Sequence, residues 1–502
     1  MRSAARTASL VAATLLALFL IFKHTLYSSA AIQTSFRRVQ STLLQQQDDS
    51  HYKDDIVIPS NISAVEAVWY RWSKIMYDHR PDVAKIELKQ SAPSVGIPAK
   101  DASMRGLWQN LITNTETDLL IMQKAHAGFI KELNKVQEPG PWSGHGIVIV
   151  AGGRWFGTAL TTIQMIRRLG SELPVEVFMK DEDEYEEYVC REFLPKLNAK
   201  CLVMTDFLKT GKHQWKASHF QLKVLALMFS SFQHVLFLDS DSMPITDPYK
   251  EMMLTEPYLS TGLILWPDFW RATESPAFYS VAGVPFPLDL PANSCESGQF
   301  MMDKNKHIKT LLLSVYYNIY GPDLYYKLLS QGAMGEGDKE TFFFAAVVLN
   351  TTFYRVKHGV GALMNDDGSR SHGTGMLQYH AADEVSAGTD VSGGSRTTPP
   401  FVRSEDKDSR IAFLHAHSPK LNPGNMPYTD AIYSQEDKSK RLRIYGNKEK
   451  VIKMFGYDLE EAIWQIMVQT GCSLQDKIKD WKKKEDLCDK LHEHYDKLFG
   501  GN

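Results

Sequence analysis

The sequence predicts an α/β fold built on a doubly wound, mostly parallel sheet with a Rossmann-like nucleotide-binding half and added helices. Three observations carry that expectation. From about residue 145, short apolar runs alternate with helical segments, the pattern of a parallel sheet covered on both faces. The first run ends in a glycine pair that opens a helix. A later run, Val235 to Leu238, stops abruptly at Asp239-Ser240-Asp241. Ligands of open α/β sheets bind beyond the carboxyl ends of the strands, so two carboxylates there face a cleft rather than the core.

The chain has 502 residues, 43% of them hydrophobic and 23% charged, enough for a large core and for two domains or one with appendages. A formal charge of -3 makes no electrostatic case for nucleic acid as a partner. Arg2 and Arg6 precede the apolar run Ala8 to Phe22, which ends at Lys23-His24. The run is short beside the ~20 residues that a membrane helix needs, but extending it through Leu26 and Tyr27 recovers the length. We therefore expect a cytoplasmic tail (1–7), a signal anchor (8–27) and a luminal stem (28–60), the alternative being a signal peptide cleaved near Ser28-Ser29-Ala30. Both readings send the remainder into the secretory lumen. Sequons at Asn61 and Asn350 agree, and in an oxidising lumen the sequence-local pairs Cys190 with Cys201 and Cys472 with Cys488 suit disulfides, leaving Cys295 over. Five cysteines without CxxC spacing argue against zinc.

An accessory helical region (61–140) follows, with helical pieces at Ala64 to Tyr77 and Leu107 to Leu133. Its aromatic cluster, Trp69, Tyr70, Trp72 and Tyr77, suits packing against the next domain. GHGIVIVAGGR then sets a strand (Ile147 to Val150) before Gly152-Gly153 and a helix from Phe156 to Leu169. Such a turn lets a phosphate approach backbone N–H groups, or it is simply tight. Val175 to Met179 is a second strand, Asp181 to Glu187 a solvated helix start, and Cys201 to Thr205 a third strand. Leu222, Leu225, Ala226 and Phe229 hold helical spacing before the strand that ends at the acidic tip.

Past the tip, Tyr258 to Trp266 reads as a strand. Ser294 to Lys304 presents Glu296, Ser297 and Gln299 around Gly298, either for close approach of a sugar or as a plain bulge. Helices at His307 to Tyr320 and Asp323 to Ser330 lead to Gly335-Glu336-Gly337-Asp338-Lys339-Glu340-Thr341 and the apolar run Phe342 to Leu349. Asp338 and Thr341 suit a helix cap, while the glycines suggest mobile carboxylates open to a catalytic role. After a strand at Phe353 to Val356 and a polar connection from Asp383 to Arg410, Ile411 to Leu414 leads into His415-Ala416-His417-Ser418-Pro419-Lys420. Either histidine suits a metal, and the lysine a phosphate. The chain from Lys440 reads as helical and charged, packed on the sheet edge.

The segments GIVIVAGGR, FQLKVLALMFSSFQHVLFLDSDSMP, LILWPDFW, ESGQFMMDK, GDKETF and HAHSPKLNP, in that order, resemble fungal secretory-pathway mannosyltransferases that add α-linked mannose to outer-chain N-glycans, glycosyltransferase family 71. The resemblance spans roughly residues 145 to 425. It implies a GT-A catalytic domain (141–425) with a C-terminal helical extension (426–502), in a type II Golgi membrane protein. It implies Mn²⁺, or Mg²⁺, on Asp239 and Asp241, completed by His417 or less directly His415. Gly152, Gly153, Arg154, Lys223, Glu296, Gln299 and Lys420 would surround GDP-mannose, although Lys223 also suits a snorkelling surface lysine. Asp338 and Glu340 are the catalytic candidates, positioning the acceptor hydroxyl or supporting an oxocarbenium-like centre. The acceptors implied are mannosylated glycoproteins, with a mannosyltransferase complex as a further partner. The linkage expected is α-1,2, with α-1,3 as the alternative, formed with retention.

Two rivals differ in class. A haloacid-dehalogenase-type phosphatase would use Asp239 as nucleophile and Asp241 as acid, with Asn365-Asp366-Asp367-Gly368 as later ligands. Against it, three strands precede the tip, and Met243 stands where that family prefers a small or branched residue. The other rival is a non-catalytic glycan-binding or scaffold subunit, which metal-dependent GDP binding would count against.

Overall fold

Two capping boxes set the first helices of the computed structural model, which describes residues 58–98, 103–136, 139–211, 213, 215–366, 371–386, 409–434 and 436–500. Ser63 and Glu66 exchange hydrogen bonds at the start of α1 (Ala64–Asp78), as do Thr115 and Asp118 at α2 (Glu116–Leu133). The second helix thus begins well after Leu107, where the cap places it. Trp69 on α1 is fully buried and meets Phe229 edge-on at 5.5 Å, while Trp72 meets Phe129 of α2 at 5.8 Å. These aromatics are core.

The sheet grows from β1 (His145–Val150), whose central residues are buried on both faces. A helix, α3 (Phe156–Arg168), crosses to β2 (Val175–Met179), and β3 (Ala199–Val203) lies beyond it, both parallel. Helix α4 (Gln221–Phe229) returns to β4 (His234–Asp239) on the other side of β1. The strand order reverses there, and Val150 stands in register with Asp239. The glycine turn and the acidic tip are therefore neighbours.

Beyond β4 the sheet is mixed rather than parallel. β6 (Leu263–Arg271) and β7 (Asn293–Asp303) are antiparallel because the chain re-enters at the end it left, with Asn293 opposite Arg271. β7 pairs antiparallel with β4, giving the order β3-β2-β1-β4-β7-β6-β8 with β8 at Tyr354–Arg355. A second, antiparallel sheet of four strands forms from β5 (Ser242–Pro244), β9 (Gly361–Asp366), β10 (Ser371–Tyr379) and β11 (Ile411–His415), in the order β5-β11-β10-β9. Several boundaries are corrected. Tyr258–Thr261 is a helical turn stopped by Gly262 at φ +71°, so its strand starts at Leu263. The third strand ends at Val203, and the acidic run is a single helical turn, Glu182–Glu184, with helix resuming at Glu187.

Between β7 and the second sheet lie α5 (Ile308–Ile319) and α6 (Lys339–Leu349). Of the C-terminal helices, α7 (Leu459–Leu474) packs on α3, where Gln164 donates to Thr470, rather than on the sheet edge, and α8 (Leu487–Phe499) packs on α7, with His494 stacked on Trp464. Disulfides Cys190–Cys201 and Cys472–Cys488 are both formed, and Cys295 is free and buried. Among the described residues no helix is long and apolar enough to cross a membrane. That finding overturns the expected placement as a single-pass Golgi membrane protein; the segment 8–27 read as its anchor lies outside the described residues.

Candidate active site

The site forms where β4 turns into β5. β5 pairs with β11 so that Ser242 faces His415, and the Ala416 N–H donates to the Asp241 carbonyl at 2.8 Å. That pairing sets His415 Nε2 3.4 Å from Asp241 Oδ1 and its Nδ1 3.5 Å from Glu296 Oε1 on β7. Gly298 makes room, since a Cβ there would lie 2.8 Å from the His415 ring. One ligand atom each from Asp239, Asp241 and His415 lie within 4.8 Å of one another. His417 stands outside this group. Its N–H turns back to the His415 carbonyl at 3.1 Å, which takes the chain off the strand line.

Two lysines face the carboxylates. Lys223, the first of them, is buried rather than snorkelling: its Nζ lies 3.2 Å from both Asp239 and Asp338 and donates to the Ser297 carbonyl and hydroxyl at 2.8 and 2.9 Å. Lys420 forms an ion pair with Asp241. Burial works against charge throughout, and the outcomes differ by partner. It pushes Asp239 up to about 6 despite Lys223, with Asp241 adding to the rise. For Asp241 burial loses to His415 and Lys420, and the carboxyl is held well below its usual range. Glu296 falls to about 2, because His415 and Lys223 outweigh burial, and His415 is raised by the same two carboxylates, Asp241 and Glu296. His417 is lowered by burial and by His415.

Asp338 and Glu340 are both buried at the start of α6, which corrects the expectation that they stand on a mobile loop. Asp338 occupies the N-cap of α6 without capping it, its side chain taken by Lys223. Glu340 accepts from the Cys295 N–H at 2.5 Å and lies 3.6 Å from Arg105. The structure thus sends the two acids into different networks.

At the glycine turn, a Cβ on Gly152 would run into the Glu184 carboxylate, and Gly153 takes φ +49°. Arg154 lies over the Trp155 ring at 4.7 Å, and its carbonyl accepts from Asn422 at 2.8 Å, tying this turn to the loop of Lys420. Gln299 accepts from Ser242 at 2.9 Å, while its fully buried Nε2 has no hydrogen-bond partner. Sequence reading missed Ser297 as a Lys223 partner, and the ion pair of Asp268 and Lys339 at 2.5 Å. It also missed Trp155, part-exposed beside the turn, whose one signal in the sequence was a large aromatic directly after Gly152-Gly153-Arg154. Asn365, offered by the phosphatase reading, lies on β9 in the second sheet.

Hard carboxylate oxygens beside an imidazole fit Mn²⁺ or Mg²⁺, with His415 turning its Nε2 toward Asp241 and its Nδ1 toward Glu296. An acid pair at the switch point of an open sheet, flanked by lysines, is a charged cleft of the kind that group-transfer enzymes use. The mannosyltransferase family model Mannosyl_trans3 matches residues 144–290 and 285–380. The α-1,2-mannosyltransferase MNN21 of Candida albicans is 31% identical, over 84% of this chain and 73% of its own. MNN2 of Saccharomyces cerevisiae, also an α-1,2-mannosyltransferase, is 32% identical over 70% and 68%. Among solved structures, the glycosyltransferase GlyE of Streptococcus pneumoniae superposes with a TM-score of 0.27 at 13% identity, over 43% of this chain and 45% of its own. The chain belongs to the fungal α-1,2-mannosyltransferase family.

Proposed function

We propose that this chain has the GT-A architecture and transfers mannose from GDP-mannose to mannose residues of glycoprotein N-glycans, forming α-1,2 linkages with Mn²⁺ or Mg²⁺ at the acidic tip. The convergence of Asp239, Asp241 and His415 carries the reading. The names of the relatives support the sugar and the linkage.

Asp239, Asp241 and His415 would hold the ion, which when bound supplies Lewis-acid stabilisation to a departing diphosphate. Lys223 is fixed by Asp239, Asp338 and Ser297, so its charge stays put while negative charge grows nearby. Lys420, anchored next to the glycine turn through Asn422, faces the same charge from the other side. Asp338, across Lys223 from Asp239, would orient an acceptor hydroxyl or support an oxocarbenium-like centre. An α-linked donor and an α-linked product require retention, as a carboxylate nucleophile or front-face attack provides.

The test is mannose transfer by the full chain, given GDP-mannose, Mn²⁺ and an α-mannoside acceptor, beside Asp239→Ala and Asp241→Ala. Transfer that depends on Mn²⁺, disappears in both variants and yields an α-1,2 product by NMR is the expected result. A folded wild type that neither transfers mannose nor binds GDP with Mn²⁺ would sink the proposal.

A further inference from the structure

We propose that Lys420 is a resident counter-ion at the acidic tip, released only when a nucleoside diphosphate draws its ammonium away, so that divalent cation and nucleotide bind as a coupled pair. The inference rests on the metal reading above and adds how the binding of the two ligands is linked.

Two lysines and a histidine already hold the carboxylates of the tip. Lys223 lies 3.2 Å from Asp239, His415 3.4 Å from Asp241, and Lys420 is paired with the other Asp241 oxygen. Both oxygens of Asp241 are thus engaged before any metal arrives. An entering ion meets a lysine charge on one of its expected ligands and must displace it or bear the repulsion.

Only one of the three can leave. The Lys223 side chain is 9% exposed and is held by two carboxylates and both oxygens of Ser297. His415 is clamped between Asp241 and Glu296, with Gly298 beneath its ring. Lys420 is 35% exposed, and apart from Asp241 its ammonium has the Trp155 ring at 5.6 Å. Its backbone is fixed, because its carbonyl accepts from Asn422, whose side chain donates to the Arg154 carbonyl. A fixed stem with a free head lets the charge swing without moving the loop. The neighbouring glycine turn and Arg154 are where a diphosphate would receive it.

The consequence is a linkage. A diphosphate takes the Lys420 charge and frees Asp241, which raises the affinity for the cation. By reciprocity the cation raises the affinity for the diphosphate by the same factor.

The probes are Mn²⁺ and GDP, with bound Mn²⁺ read by loss of its solution EPR signal and GDP read by calorimetry, on the full chain and on Lys420→Met and Lys420→Arg. In the wild type, GDP should tighten Mn²⁺ at least about tenfold, and Mn²⁺ should tighten GDP equally. Lys420→Met should bind Mn²⁺ alone several-fold more tightly than the wild type and lose most of the coupling, while Lys420→Arg should keep it. The inference is overturned if Lys420→Met matches the wild type in Mn²⁺ affinity without GDP, or if it keeps the full coupling. Tight Mn²⁺ binding by the wild type with no effect of GDP also overturns it, while leaving the metal site standing. No Mn²⁺ binding by any of the folded proteins, with or without GDP, overturns the metal reading and this inference together.

Discussion

Arg105 Nη1 lies 3.6 Å from Glu340 Oε2, and both side chains are buried. The same guanidinium meets Glu274 at 3.3 Å and donates to the carbonyls of Pro291 and Asn293 at 3.1 and 2.9 Å. Arg105 belongs to the connection between α1 and α2, so this network fastens the accessory region to the start of β7. Glu340 is thereby placed in the scaffold, and Asp338, two residues earlier, beside the acidic tip.

Substitutions should separate these roles. Glu340→Gln leaves a buried guanidinium short of charge and should cost about 3 kcal/mol of stability by urea unfolding. Transfer by its folded fraction should stay within a few-fold of wild type. Asp338→Asn likewise takes one of two acids from a buried cation and should cost about 3 kcal/mol as well, yet lower kcat at least about 100-fold. The reverse pattern would exchange the two assignments.

Gly152 and Glu184 should be coupled. Gly152→Ala pushes a methyl group into the Glu184 carboxylate, which also accepts from the Lys180 N–H at 2.9 Å. A cost of about 1–3 kcal/mol is expected, and Glu184→Ala in the same chain should recover at least about 0.5 kcal/mol of it. Simple additivity in the double-mutant cycle would show that the glycine is needed for something else.

His126 should make the accessory region sensitive to acid. Its ring is buried 2.9 Å from the Tyr317 hydroxyl, and burial lowers it from 6.5 to about 4. Below pH 6.5 the unfolded chain takes up a proton that the folded chain refuses until about pH 4. Stability is therefore full above 6.5 and falls with pH between those values, by about 3 kcal/mol in the limit. His126→Gln should remove that part of the slope, and equal slopes in both proteins would count against the site.

Opening the Cys472–Cys488 bridge should loosen α8 first. The bridge spans a sequence separation of 16, for which loop closure gives about 3 kcal/mol. α8 fully buries just Leu487, Leu491 and His494, with Tyr495 and Phe499 partly buried against the core. In Cys472→Ser/Cys488→Ser, hydrogen exchange should rise in 487–499 well before it rises in β1 or β4. Uniform exchange would mean that α8 unfolds only with the whole.

Much of this was local enough to read along the chain. The apolar runs of β1, β2 and β4, the glycine turn, the acidic tip and the packing role of Trp69 follow from residue type and period, which need no distant partner. Both disulfides join cysteines near in sequence. The second sheet was harder, because β9 and β10 carry glycines and polar residues instead of an apolar alternation.

By itself, then, the sequence determined that β1, β2 and β4 are strands and which chemistry stands at their ends. Only the tertiary structure decided what meets there. His415 and His417 are equivalent by spacing, but β5 pairs with β11 as far as His415, and the chain then turns away. Asp338 and Glu340 share one short motif, yet Lys223 claims the first and Arg105 the second. The physical reason is the same in both cases. Side-chain direction depends on pairing register and on partners brought from far along the chain, and neither leaves a periodic mark in the residues themselves.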